Sequence, residues 1–158
     1  MANYYKIKIS DIANGPGERV SIFFTGCDIK CKGCFNEELQ DPKCGTLYTE
    51  DTYQRIKKYM KPYKYGLSIL GGEPFSIYNR ATVSELCTRF KKDFPDKTIY
   101  IWSGYTIEKL KSFNSECVND ILKTADYLID GPFIEELKDY NLKLRGSSNQ
   151  RIINLKEY

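Results

Sequence analysis

The chain contains no histidine. That removes the side chain most often used near neutral pH as general base, nucleophile activator or metal ligand. Any catalysis must therefore run on cysteine, carboxylates, lysine, tyrosine or a cofactor. No apolar run approaches the ~20 residues of a membrane-spanning helix, and residues 1–10 alternate polar and apolar side chains without the apolar centre of a signal peptide. A cytoplasmic location is expected, with no membrane association. Linkers, low-complexity stretches and sequence repeats are also lacking. Nor is one charge in excess: 24 basic against 21 acidic residues leave a formal net charge of +3. That balance gives no electrostatic case for a nucleic acid partner, although a modest basic patch suffices to steer an acidic protein such as a small electron carrier.

The 158 residues are 41% hydrophobic and 28% charged, which suits a single domain, residues 1–158, with a real core. Short β-branched or aromatic runs at residues 20–24, 67–70, 98–102 and 127–129 read as buried strands bounded by turn residues. Helix signals lie between them. Thr49 is placed to cap a helix carrying Tyr53, Ile56 and Met60, which ends before Pro62. A second helix puts Val83, Leu86, Cys87 and Phe90 on one face and stops before Pro95. One helix or two short ones between Thr106 and Thr124 would bury Leu110, Phe113, Cys117, Ile121 and Leu122. Alternation of strand and helix predicts right-handed βαβ units and a parallel sheet. Four or five strands are too few to close an eight-stranded barrel. The expected architecture is α/β, a partial (open) parallel barrel.

Each predicted strand is followed by a glycine-bearing polar motif: Thr25-Gly26-Cys27, Gly71-Gly72-Glu73-Pro74, Ser103-Gly104-Tyr105 and Asp130-Gly131-Pro132. Parallel α/β sheets bind ligands at these strand ends. Of six cysteines, three crowd into Cys27-x3-Cys31-x2-Cys34. In a chain without a secretion signal, close cysteines point to metal or redox chemistry rather than disulfides. Thiolates are soft ligands that suit iron–sulfur clusters or zinc. A cubane cluster held wholly by protein takes four cysteines, so three would leave one iron open. Cys44, ten residues on, is an alternative fourth ligand and keeps a closed zinc or ferredoxin-like site in play, although structural zinc sites usually pair two knuckles or add histidines. Cys87 and Cys117 fall on apolar helix faces, where free cysteine packs as a small hydrophobe.

The cysteine loop resembles the signature of the radical S-adenosylmethionine superfamily, and Gly71-Gly72-Glu73-Pro74 resembles its second motif. Asn14-Gly15-Pro16-Gly17, Trp102-Ser103-Gly104-Tyr105, Asp130-Gly131 and Arg145-Gly146-Ser147-Ser148-Asn149-Gln150 narrow the resemblance to the activases of anaerobic (class III) ribonucleoside-triphosphate reductase. The resemblance spans nearly the whole chain. It implies an oxidoreductase with a [4Fe-4S] cluster on Cys27, Cys31 and Cys34 and S-adenosyl-L-methionine on its open iron. Reductive cleavage then yields a 5′-deoxyadenosyl radical, which takes hydrogen from a glycine of the reductase's glycyl-radical subunit. A small electron donor such as flavodoxin or ferredoxin is implied as a second partner. Such cleavage needs no protein acid or base, which suits a chain without histidine.

The resemblance further implies cofactor contacts from Gly33, Cys34, Phe35, Gly71, Gly72, Glu73 and Ser103. Many superfamily members carry an aromatic residue just before the third cysteine, beside the adenine. Here Gly33 stands there and Phe35 follows the cysteine, so the Phe35 ring or the Gly33 backbone is expected at the adenine. Gly71 and Gly72 are expected to let backbone approach the methionine moiety. Pyruvate formate-lyase activases carry aspartate where Asn14 stands, which favours the reductase activases. The rival readings are an activase of another glycyl-radical enzyme, a radical enzyme acting on a small molecule, and a non-catalytic zinc or ferredoxin-like module.

Overall fold

A computed structural model of the chain describes residues 2–34 and 37–158. Its centre is four parallel strands, β2 (Arg19–Phe24), β4 (Gly66–Gly71), β5 (Thr98–Trp102) and β6 (Tyr127–Asp130), paired in that order. These are the four strands expected from the sequence. Three antiparallel strands extend them: β1 (Asn3–Asp11), β3 (Thr46–Leu47) and β7 (Arg151–Asn154), giving the order β3-β1-β2-β4-β5-β6-β7. The sheet is open, since β3 and β7 lie at opposite edges.

Strand alternation gives the sheet two different faces. Val20, Ile22 and Phe24, with Leu67, Ile69, Ile99, Ile101 and Leu128, form an apolar face. It is covered by α1 (Glu50–Tyr59), α2 (Arg80–Asp93), α3 (Ile107–Ser112) and α4 (Glu116–Thr124), which contribute Tyr53, Ile56, Val83, Leu86, Phe90, Leu110, Val118 and Ile121 to one core. The intervening positions, Ser21, Phe23, Ser68, Leu70, Tyr100 and Trp102, look the other way and carry no helix. The faces are covered differently: helices pack the first, whereas Arg19, the loop carrying Asn14 and the loop carrying Leu144 lie on the second.

Thr49 caps α1 as expected, its own N–H donating to Thr52 Oγ1 at 3.0 Å. The segment from Thr106 to Thr124 is two helices, not one. Asn114 at φ 50° breaks it, and Thr106 and Ser115 each cap a new start through hydroxyls that accept the N–H groups of Lys109 and Val118. The break rotates α4 so that Val118 is fully buried while Cys117 is only half-buried, which corrects the core position expected for Cys117. Cys87 is in the core as expected. Among the described residues, no helix is long and apolar enough to cross a membrane.

Candidate functional site

The loops that follow the parallel strands surround a cavity of about 380 Å³. The first loop enters it at Cys27. Gly26 takes φ +90°, its N–H donates to Leu39 O at 2.7 Å, and Cys27 N–H donates to Gln40 O at 3.0 Å. Thr25 is buried and reaches the carbonyl of Cys44 through Oγ1 at 3.0 Å. Cys27 is thereby fixed at the end of β2, and Cys31 and Cys34 follow on the exposed part of the loop. All three side chains line the cavity, and none is in a disulfide. Burial pushes the thiols of Cys27 and Cys31 up from their ordinary pKa. Backbone N–H groups oppose this, from Lys30 and Ile29 at Cys27 and from Phe133 at Cys31.

Cys44 lies outside the cavity lining. Among the described residues, no three His, Cys, Asp or Glu side chains stand close enough to hold a single metal ion. A soft donor set of three thiols around one cavity does fit a multi-iron cluster, which holds its thiolates farther apart than one ion does.

The second loop carries Gly71, Gly72 and Glu73, all on the cavity wall. The glycines answer first to the protein's own backbone. Gly71 has φ +116°, and a Cβ there would strike Phe24 of the neighbouring strand. A Cβ on Gly72 would sit 2.5 Å from the Gly26 carbonyl oxygen and 2.8 Å from that of Leu39. Their bareness lets this loop lie against the cysteine loop, joined to it by Gly72 N–H to Phe24 O at 2.9 Å and Glu73 N–H to Gly26 O at 2.8 Å.

Glu73 is fully buried. One carboxylate oxygen accepts the Gly104 N–H at 2.7 Å; the other accepts the Ser103 hydroxyl at 2.9 Å and the Phe75 N–H at 3.0 Å. Burial outweighs those donors and pushes its pKa up to about 7. Glu73 thus ties the β4 and β5 loops together, with Ser103 as its partner on the wall. Gly33 takes φ +71° and faces the Glu135 carboxylate beside the cavity rather than lining it. Phe35 lies outside the described residues.

Asn79 shapes the site and was not singled out from the sequence; Trp102, Gln150, Asp130 and Asn14 belong to motifs already quoted, but their partners come only from the fold. Asn79, fully buried at the start of α2, donates from Nδ2 to Thr25 O at 2.8 Å and to Glu73 O at 3.0 Å, clamping the cysteine loop to the Gly71–Glu73 loop. Its place just before a helix was the available signal, but its amide serves the two loops and makes no cap bond. Trp102 lines the cavity and donates from Nε1 to Leu144 O at 2.7 Å. Gln150 folds the last loop: Oε1 accepts from Gly146 and Ser147 N–H, and Nε2 donates to Gly131 O. Asp130 is turned away from the cavity, taking Arg151 in a two-oxygen ion pair and the Ile107 N–H at 2.8 Å. Asn14 reaches the cavity floor and donates from Nδ2 to Asp11 at 2.7 Å.

An open, largely parallel sheet that presents three cysteines outside any disulfide and two glycine-bearing loops to one cavity defines a cofactor-carrying α/β protein. Comparison with known proteins is specific. Residues 13–153 match the family described as 4Fe-4S single cluster domain. The chain is 37% identical over 153 residues to the anaerobic ribonucleoside-triphosphate reductase-activating protein of Vibrio cholerae serotype O1, covering 95% of this chain and 96% of that one. It is 38% identical over 151 residues to the protein of that name from Enterobacteria phage T4, with 95% and 92% covered. It is 32% identical over 157 residues to the one from Escherichia coli K12, with 98% and 99% covered. The chain belongs to this family of 4Fe-4S reductase-activating proteins.

Proposed function

We propose that this chain activates an anaerobic ribonucleoside-triphosphate reductase by installing a glycyl radical on it. The observation that carries the reading is the meeting of Cys27, Cys31 and Cys34 with Gly71, Gly72, Glu73 and Ser103 on one cavity wall. In this reading the three thiolates hold a [4Fe-4S] cluster and the remaining wall holds S-adenosyl-L-methionine. Held there in its reduced state, such a cluster would supply one electron to the sulfonium, so that methionine would leave and the 5′-deoxyadenosyl radical would take hydrogen from a glycine Cα of the partner. Glu73 and Asn79 keep the two loops in register, so the sulfonium ligand and the thiolate-held group share one fixed geometry. The partner's glycine loop would reach the cavity at the strand ends, where Cys31 and Cys34 are only half-buried. A small acidic donor such as flavodoxin or ferredoxin delivers the electron, and the cytoplasm keeps the thiols reduced.

The test is anaerobic. The reconstituted, reduced protein is mixed with S-adenosyl-L-methionine and the reductase. The expected result is 5′-deoxyadenosine together with a glycyl-radical EPR doublet. Deoxyadenosine without the doublet would keep the chemistry and discard this partner. Alanine at Cys27, Cys31 or Cys34 is expected to abolish cleavage, whereas Cys44→Ala is expected to keep iron content and cleavage. Loss of the cluster in Cys44→Ala would overturn the open-site assignment.

A further inference from the structure

Strands β6 and β7 are antiparallel neighbours whose facing ends, Asp130 and Arg151, are directly paired. A turn of about two residues suffices to close such a pair. Here residues 131–150 intervene, with one short 3-10 turn, Glu135–Leu137, as their only element. Loops of that length without regular structure are uncommon in compact domains and are usually functional. This one is built rather than loose. Its outgoing and returning legs are joined by the Asp139 N–H to Gly146 O at 3.2 Å, the Ser148 N–H to Leu137 O at 3.0 Å and Asn149 Nδ2 to Pro132 O at 2.7 Å. Ser147, fully buried between them, accepts the Ile134 N–H at 3.2 Å. The inner side of the loop walls the cavity with Phe133, Leu144 and Gly146. The Trp102 indole holds the Leu144 carbonyl, and Leu144 itself stands at φ 63°, a left-handed backbone unfavourable to leucine.

The same loop holds two large apolar side chains out to solvent: Tyr140, 80% exposed, and Leu137, 42% exposed. Its charges balance, Glu135, Glu136 and Asp139 against Lys138, Lys143 and Arg145, so it exerts no net pull on an acidic electron carrier. What it offers is a preformed apolar contact beside the cavity that the glycine of a second protein has to reach. Transfer of a radical between two chains needs water kept from the mouth while they are joined. A rigid loop that presents an aromatic and an aliphatic anchor suits such a contact, because little ordering cost falls on binding. Resting on the function proposed above, we infer that residues 131–150 are the recognition loop for the reductase, with Tyr140 and Leu137 as the side chains that enter an apolar recess of that partner. Because the loop is also a wall of the cavity, a partner held by its outer side is held next to the site of hydrogen transfer.

The assignment is tested by equilibrium binding of the anaerobic reductase to the cluster-loaded chain. Tyr140→Ser combined with Leu137→Ser is expected to weaken that binding roughly 10-fold or more, the size of losing buried interface anchors. Tyr63→Ser, an exposed tyrosine before β4 at the other end of the strands, is expected to bind as wild type. In the double variant, iron bound per chain and cleavage of S-adenosyl-L-methionine without the reductase are expected to be unchanged. Glycyl-radical formation is expected to need more reductase for its half-maximal rate while keeping its rate at saturation. A second measurement uses the wild-type chain alone: amide exchange across residues 134–144 is expected to slow when the reductase is added. Unchanged affinity in the double variant, or exchange at these residues that the reductase does not slow, overturns the assignment. Failure of the loaded wild-type chain to bind the reductase at all would instead overturn the function proposed above.

Discussion

Glu73 shows how a single residue serves the site through its charge state. Its carboxylate meets three donors, yet complete burial raises its pKa to about 7, against 4.5 for an ordinary glutamate. The folded chain therefore holds a proton that the unfolded chain releases. Stability is full below about pH 4.5, falls as pH rises toward about 7 and is level above that, by an amount on the order of 3 kcal/mol. Glu73→Gln removes this titration. In urea unfolding of the cluster-free protein, the variant is expected to gain on wild type between about pH 5 and about pH 8. A variant that loses ground over that interval would show that the three donors outweigh burial. The importance of Glu73 was legible in the sequence from its place after a strand, and so was that of the three cysteines. Its partners were less so. Ser103 and Gly104 lie some thirty positions away and meet it through the fold alone. The same holds for Asn79 and for Trp102 with Leu144, whose bonds span 54 and 42 positions.

At the level of elements, the four parallel strands were readable because each is a short apolar run with turn residues behind it. The three antiparallel strands were not. β1 is exposed along much of its length and its pairing with β2 is irregular, β3 has two residues, and β7 is partly exposed, so none carries a clear burial period. The glycine loop after β4 was readable as a site, but its glycines were expected to make room for a ligand. They are required at least as much by Phe24, Gly26 and Leu39 of the adjoining segments, so bulk at Gly72 would disturb the cysteine loop along with any ligand. The junction between these loops is better probed at Asn79. Asn79→Ala leaves the Thr25 carbonyl without the Asn79 donor and the Glu73 carbonyl with the Ser76 N–H alone, and is expected to cost about 2 kcal/mol in urea unfolding, with faster amide exchange at Gly72 and Glu73. Asn79→Asp offers an acceptor to two acceptors and is expected to cost more than alanine. The reverse order would show that the side chain acts by filling space.

Across the whole molecule, the two ends of the parallel strands do different work. The C-terminal ends carry the cysteines and the glycine loops; the N-terminal ends carry Arg19, fully buried, its ring neighbour Tyr100 4.7 Å from the guanidinium carbon. Arg19 donates to Ser68 Oγ at 2.8 Å, to Leu67 O at 3.0 Å, to Thr98 O at 2.8 Å and to Thr98 Oγ1 at 3.1 Å, with a longer bond to Pro16 O. It thus joins β2, β4 and β5 and seats the loop before β2 beneath the cavity. Burial pushes its pKa down to about 10, so it stays cationic at neutral pH. Conserving the length of the side chain while removing its donors isolates this role. Arg19→Met removes the cost of burying the charge but leaves carbonyls and hydroxyls short of donors, and the net loss is expected to be about 2–3 kcal/mol. Because this network lies at the opposite end of β2 from Cys27, iron bound per chain is expected to match wild type at temperatures where both proteins are folded. Stability falling with iron content intact would separate the two ends of the sheet. A proportional fall in iron in the folded variant would show instead that the floor of the cavity sets the position of its cysteines.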